Sequence, residues 1–233
     1  MNVPSEILEK RSKQLLFRTY EFEKKKFSNN YDFKYIFYDF FILISFLNLF
    51  LINSLFYKKK KLKKVELICD NIYTKADLNQ HQYFSKYFES ILLLGYRDVD
   101  CSNKKVKFLN IKKEFFKFVD FSFKKRIQLI IFCFKIFLYS IFFRINLISI
   151  FKLLIYEFVK YKRLYSEYRG KYYFNYRFYD TNILQNYLFK KNGGLKTSCF
   201  QKNVCILSIS GFIYSDIFFS LGRDQGKICN TLG

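Results

Sequence analysis

"KYYFNYRF" (Lys171–Phe178), "YDTNILQNYLFKKNGG" (Tyr179–Gly194) and "LKTSCFQ" (Leu195–Gln201) follow one another without a gap, and their reading decides the fold. The first alternates as a strand does. The second reads as a helix. Asp180 or Thr181 offers an N-cap oxygen, while Ile183, Leu184, Tyr187 and Leu188 recur at helical spacing as a buried stripe. Lys190 and Lys191 stand at the negative end of the helix dipole, and Asn192 and Gly193 supply the stop. The third stretch returns to a strand. Strand, helix and strand in so short a span form the repeating unit of a parallel sheet.

The same alternation extends both ways. Downstream, "SDIFFSLG" (Ser215–Gly222) reads as a strand with a glycine turn, and "RDQGKICNTLG" (Arg223–Gly233) as the start of a helix capped by Asp224. Upstream, "KVELICD" (Lys64–Asp70), "ILLLGY" (Ile91–Tyr96) and "KVKFLN" (Lys105–Asn110) read as three further strands. "DLNQHQYFSKYFES" (Asp77–Ser90) reads as a helix capped by Asp77, with Leu78, Tyr83, Tyr87, Phe88 and Ile91 roughly on its buried side. The expected fold class is α/β, with a Rossmann-like, mainly parallel sheet over 64–233. Because the sequence stops inside a helix pattern, that domain is expected to be incomplete at its C-terminus.

Two apolar regions do not fit the alternation and predict extra N-terminal and central helices. Ile36–Phe56 has the length of a bilayer span and is followed by the basic flank "YKKKKLKK" (Tyr57–Lys64). With the polar, basic residues before it, it makes 1–63 a helical extension suited to membrane association. Lys124–Arg163 is longer, but Lys135, Arg144 and Lys152 interrupt it. A charge at a bilayer centre costs on the order of 2.5–3.5 kcal/mol against about 0.3–0.6 gained per Leu, Ile or Phe. Helices covering a sheet fit that spacing better than one clean span. The alternative architecture is an integral membrane protein with spans near 36–56 and 127–156.

Composition narrows the function classes. Of 233 residues 51% are hydrophobic, which excludes a disordered chain. The net charge of +22 attracts anionic partners, although Lys, Asn, Ile, Phe and Tyr also accumulate wherever codons are AT-rich. The basic residues are spread along the chain, which argues against nucleic acid as a partner. Six cysteines form no C-x-x-C pair and His81 is the single histidine, so neither a metal site nor a disulfide scaffold is expected. No complete nucleotide or cofactor fingerprint and no catalytic signature is present, and no cofactor is expected. The reduced thiols and the lack of a secretory signal point to the cytoplasm, with the inner face of the membrane as a place of attachment.

In an open α/β sheet, ligands bind beyond the C-terminal ends of the strands. That rule selects Asp70–Thr74, Arg177–Thr181, Gln201–Asn203 and Gly222–Gln225. The candidate ligand-binding residues are Asp70, Arg177, Asp180, Gly222, Arg223 and Asp224, of which Asp180 and Asp224 also suit helix caps. His81 reads as a surface or packed histidine rather than a base.

The run "YYFNYRFYDTNILQNYLFKKNGGLKTSCFQ" and the later "SDIFFSLGRDQGKICNTLG" resemble bacterial surface-carbohydrate glycosyltransferases of the two-domain GT-B type. They are most similar to the polysaccharide biosynthesis proteins named for a PFTS motif. In those proteins a helix ending in lysines and "NG" leads to a "KT" strand, and a later D-x-x-x-x-x-G segment precedes the crossing into the second domain. The matching positions are Asn182, Lys190, Asn192, Gly193, Lys196 and Thr197, then Asp216, Gly222 and Gly226. The likeness covers Tyr172–Gly233, and the PFTS tetrapeptide itself is absent from the chain. It implies the N-terminal, acceptor-side part of an enzyme that moves a sugar from a nucleotide-sugar donor to a glycan acceptor. It further implies that this part alone is inactive.

Overall fold

A computed structural model describes residues 3–22, 33–55, 61–72, 74–98, 101, 103–111, 123–143, 145–175, 181–200 and 214–222. By its contacts the chain divides into two compact units: Met1–Lys59 with Lys117–Lys160, and Lys60–Phe116 with Tyr161–Gly233. The segment between the third and fourth strands therefore groups with the N-terminal helices, and the sheet with the remainder.

The second unit holds all six described strands: β1 (Lys63–Ile72), β2 (Ile91–Gly95), β3 (Val106–Asn110), β4 (Tyr168–Asn175), β5 (Lys196–Phe200) and β6 (Ile217–Phe219). They form one sheet in the order β3-β2-β1-β4-β5-β6, and every pairing is parallel. A parallel sheet is covered on both faces, so its central strands read as continuous apolar runs. β2, "ILLLG", is buried at every position.

From β1 the chain steps outward to β2 and β3; from β4 it steps outward in the opposite direction. Right-handed crossovers then put the helix after β1 and the helix after β4 on opposite faces. The side chains agree. Leu78 of the helix after β1, with Phe84 and Phe88 just beyond it, packs on Leu67, Cys69, Leu93 and Phe174. On the other face Phe189 packs against Tyr165 and Tyr173, with ring centroids 5.5 and 5.7 Å apart.

The helix after β4, Ile183–Lys191, is nearly the one expected from sequence. Its cap is Asn182, whose side chain accepts from the Gln185 N–H at 3.1 Å, rather than Asp180 or Thr181. Ile183, Leu184 and Leu188 are buried as expected, Tyr187 is half-buried, and Phe189, Gln185 and Asn186 are buried as well. Its stop is a Schellman motif. Gly193 N–H donates to the Lys190 carbonyl at 2.9 Å, Gly194 N–H donates to the Phe189 carbonyl at 3.1 Å, and Gly193 has φ +88°.

The helix after β1 departs further from expectation. It spans Lys75–Gln82 and gives way to a 3₁₀ turn at Tyr83–Lys86. Thr74 is its cap and Asp77 is the third residue of a capping box. Tyr83 and Tyr87 are exposed and Ile91 begins β2, so these three do not form the expected helical stripe.

The first unit contains four helical segments among the described residues: α1 (Ser5–Phe22), α2 (Phe33–Leu55), α4 (Phe123–Phe142) and α5 (Leu147–Glu167), the last belonging to this unit up to Lys160. Here α3 is Lys75–Gln82 and α6 is Ile183–Lys191. One charge from each apolar run meets the other. Lys152 Nζ reaches Asp39 at 2.5 Å, and Asn146 donates to the same carboxylate at 2.7 Å. Arg11, nearly buried, makes a two-pronged pair with Glu157 at 2.8 and 2.5 Å. The stretch near 127–156 is two helices broken between Phe142 and Leu147, not one span. Among the described residues no helix is long and apolar enough to cross a membrane.

Candidate functional site

The sheet reverses direction between β1 and β4, and the crevice outside that junction is where open α/β sheets bind ligands. The register pairs Asp70 of β1 with Asn175 of β4, and both are buried. Alternation along the strands turns Asp70 to the α6 face, where Tyr173 Oη donates to its Oδ2 at 3.1 Å and Gln185 Nε2 donates to the same oxygen at 3.0 Å. Tyr165 lies close enough to feel the Asp70 charge.

The electrostatics of this cluster follow from burial. Burial pushes the Tyr173 hydroxyl well above its ordinary range, and the neighbouring Asp70 charge adds to the push. Burial likewise raises Tyr165, against an opposing interaction with Gln185, and Asp70 adds to the rise. Both phenols keep their protons and can act only as neutral hydrogen-bonding groups. The cluster is thus a buried carboxylate held by one phenol and one amide.

On the opposite face His81 sits between Phe84 and Phe174, with centroids 6.0 Å from each. Its Nδ1 lies 2.6 Å from the Asp77 carbonyl oxygen, and a carbonyl only accepts, so Nδ1 carries the proton. Burial holds the ring below its usual pKa, although the bond to Asp77 works the other way. The packed-histidine reading describes this environment.

The start of α3 is the position where a doubly wound fold would present N–H groups to a phosphate. Here the connection from β1 carries no glycine. Thr74 Oγ1 accepts from the Asp77 N–H at 3.1 Å, and Asp77 Oδ2 accepts from Thr74 N–H and Oγ1 at 3.0 and 2.9 Å. The helix start thus already holds a carboxylate where an anionic ligand would go, and a second negative charge there is repelled.

Among the other sequence candidates, Gly222 is described and exposed, with nothing near the place a Cβ would occupy, so it is a surface turn. Arg177, Asp180, Arg223 and Asp224 lie outside the described residues, as do Gln201–Asn203. Three of the positions that carry the family resemblance come together: Asp216 accepts from Thr197 N–H at 2.7 Å and Thr197 Oγ1 at 2.9 Å, and pairs with Lys190. They form a clamp tying α6, β5 and β6 rather than a binding site.

Sequence reasoning missed Tyr165, Tyr173 and Gln185. The one available signal was parity. Gln185 stands in a helix otherwise read as apolar toward the sheet, and Tyr173 shares the face that Asp70 occupies. Among the described residues no group of three or more His, Cys, Asp or Glu could hold a metal ion, and Cys69, Cys133 and Cys199 are free thiols. No family model matches the chain, and neither a curated protein nor a solved structure matches it.

Proposed function

We propose that this chain is the acceptor-side part of a glycosyltransferase-like protein of surface polysaccharide biosynthesis, of GT-B type. The observation that carries the reading is the doubly wound parallel sheet, whose switch point holds a neutral-donor, single-carboxylate cluster. Glycan hydroxyls are commonly bound by carboxylate and amide groups, and the ends of β1 and β4 bring residues of that chemistry to the switch point. The occupied N-terminus of α3 supports the same division of labour, since the donor's pyrophosphate has no cradle there. Donor phosphates then belong to the other half of the enzyme. The net charge of +22 suits work beside the anionic inner face of the cytoplasmic membrane.

In this reading Tyr173 and Gln185 hold the buried Asp70 carboxylate in place at the end of β1, and that end of the sheet faces the acceptor. Arg177 and Asp180 follow β4 in the sequence and are proposed as further ligand contacts, with Gly222, Arg223 and Asp224 following β6. The test is titration calorimetry of residues 1–233 against UDP-, GDP- and CMP-sugars. No saturable donor binding in the millimolar range and no transfer are expected. Saturable donor binding would place the donor site on this sheet and end the proposed division.

A further inference from the structure

The first unit turns an apolar surface outward. Along α2 the buried positions are Ile36, Phe40, Leu43 and Leu47, and the opposite side presents Tyr35, Phe37, Tyr38, Phe41 and Ile42. At 100° per residue these two sets fall on opposite sides of the helix. Along α4, Cys133 and Ser140 are buried, while Ile131, Phe134, Leu138, Tyr139 and Phe142 are exposed, Phe142 at 79%. Phe37 packs on Phe137 and Phe40 on Phe134, so α2 and α4 run antiparallel. Two adjacent helices thus expose aromatic and aliphatic side chains on a scale that isolated surface residues do not reach.

Charge decides what covers this surface. A second copy would bring together two chains of net charge +22 each, which repel. An anionic bilayer removes the same apolar side chains from water and attracts the charge. The sequence supplies further basic residues in "KKKK" (Lys58–Lys61) and "KKR" (Lys124–Arg126). Tyr35, Tyr38 and Tyr139 combine an apolar ring with a polar tip, the chemistry of the headgroup boundary. Lys34 and Lys135, both exposed on these helices, have stems long enough to reach headgroups.

We infer that the outward face of α2 and α4 lies in the interface of an anionic membrane, as an in-plane anchor and not a span. The inference specifies the membrane side of the proposed function and does not depend on sugar transfer. The test is flotation of the full chain with phosphatidylcholine vesicles that contain or lack phosphatidylglycerol, comparing wild type with the triple variant Phe41→Ser, Leu138→Ser, Phe142→Ser. All three positions are well exposed, so the variant is expected to keep its circular dichroism and melting temperature. The expected result is binding to phosphatidylglycerol vesicles that falls at least tenfold in the triple variant and also falls when phosphatidylglycerol is omitted. Equal binding by wild type and variant overturns the inference, as does failure of the wild type to float. A wild-type dimer in sedimentation equilibrium that the variant dissolves also overturns it and assigns the face to a second copy. Donor titration reads the enzymatic proposal separately, so the two can fail independently.

Discussion

Helices α6 and α4 are both rich in Leu, Ile and Phe, yet they meet opposite fates. In α6 the apolar side chains Ile183, Leu184, Leu188 and Phe189 are all buried against the sheet unit. In α4 Ile131, Leu138, Tyr139 and Phe142 are more than half exposed. The difference lies in what surrounds each helix. α6 is the crossover of a βαβ unit, and the sheet it must cover sits directly beneath it. α4 belongs to a unit with no described strand, where α2 meets it through Phe37 and Phe40 and α5 through Phe151. Apolar content alone says that a surface must be hidden, not by what.

The sharpest way to break this comparison is a matched pair of substitutions. Leu184→Asp places an unpaired charge in a site with no solvent exposure, at a cost of several kcal/mol, enough to unfold a marginal domain. Leu138→Asp, at a position 63% exposed, is expected to change stability by less than about 0.5 kcal/mol. Thermal unfolding of the two variants checks this, and equal losses would mean that α4 is as enclosed as α6.

A smaller effect tests the stop of α6. Gly193 occupies the left-handed region, and a Cβ there would run into the Arg169 guanidinium. Gly193→Ala is expected to cost at least about 1–2 kcal/mol in chemical denaturation, whereas Gly222→Ala, in open space, should be close to neutral. The cap of α3 is next: Thr74→Ala should lose roughly 1 kcal/mol, with Thr74→Ser recovering most of it.

The smallest expected effect depends on pH. Burial alone would raise the Asp216 carboxyl, but Lys190 together with the Thr197 N–H and hydroxyl outweighs it and holds the group below its usual value. A carboxyl depressed in the folded state adds stability above its unfolded value of about 3.9, and that contribution disappears as pH falls through the lower, folded value. Asp216→Asn should therefore destabilise at neutral pH by on the order of 1 kcal/mol and match wild type in strong acid. A constant difference across the titration would deny the ionic part of the clamp.

The sheet was legible because a parallel strand buried on both faces announces itself: "ILLLGY" and "KVELICD" admit few other readings. The strand order was not legible, since it depends on which strand the central helices return beside, and nothing local to Tyr168–Asn175 specifies Lys63–Ile72 as its partner. Asp70 could be found as a strand-end carboxylate. Its partners Tyr173 and Gln185 could not, because they lie 103 and 115 residues away and meet it only through the β1–β4 pairing. The cap of α6 was misjudged by one or two residues because Asp180, Thr181 and Asn182 all carry the necessary oxygen, and only the backbone turn selects Asn182.

The most direct test of the proposed acceptor site is an amide-shift titration of labelled residues 1–233 with a panel of oligosaccharides. The account predicts saturable shifts concentrated at the C-terminal ends of β1 and β4, around Asp70, Ile72, Asn175 and Thr181, and weakened in Asp70→Asn while that variant keeps its fold. Saturable shifts confined to the opposite edge of the sheet, near Lys63 and Tyr168, or no shifts with any glycan, would contradict it.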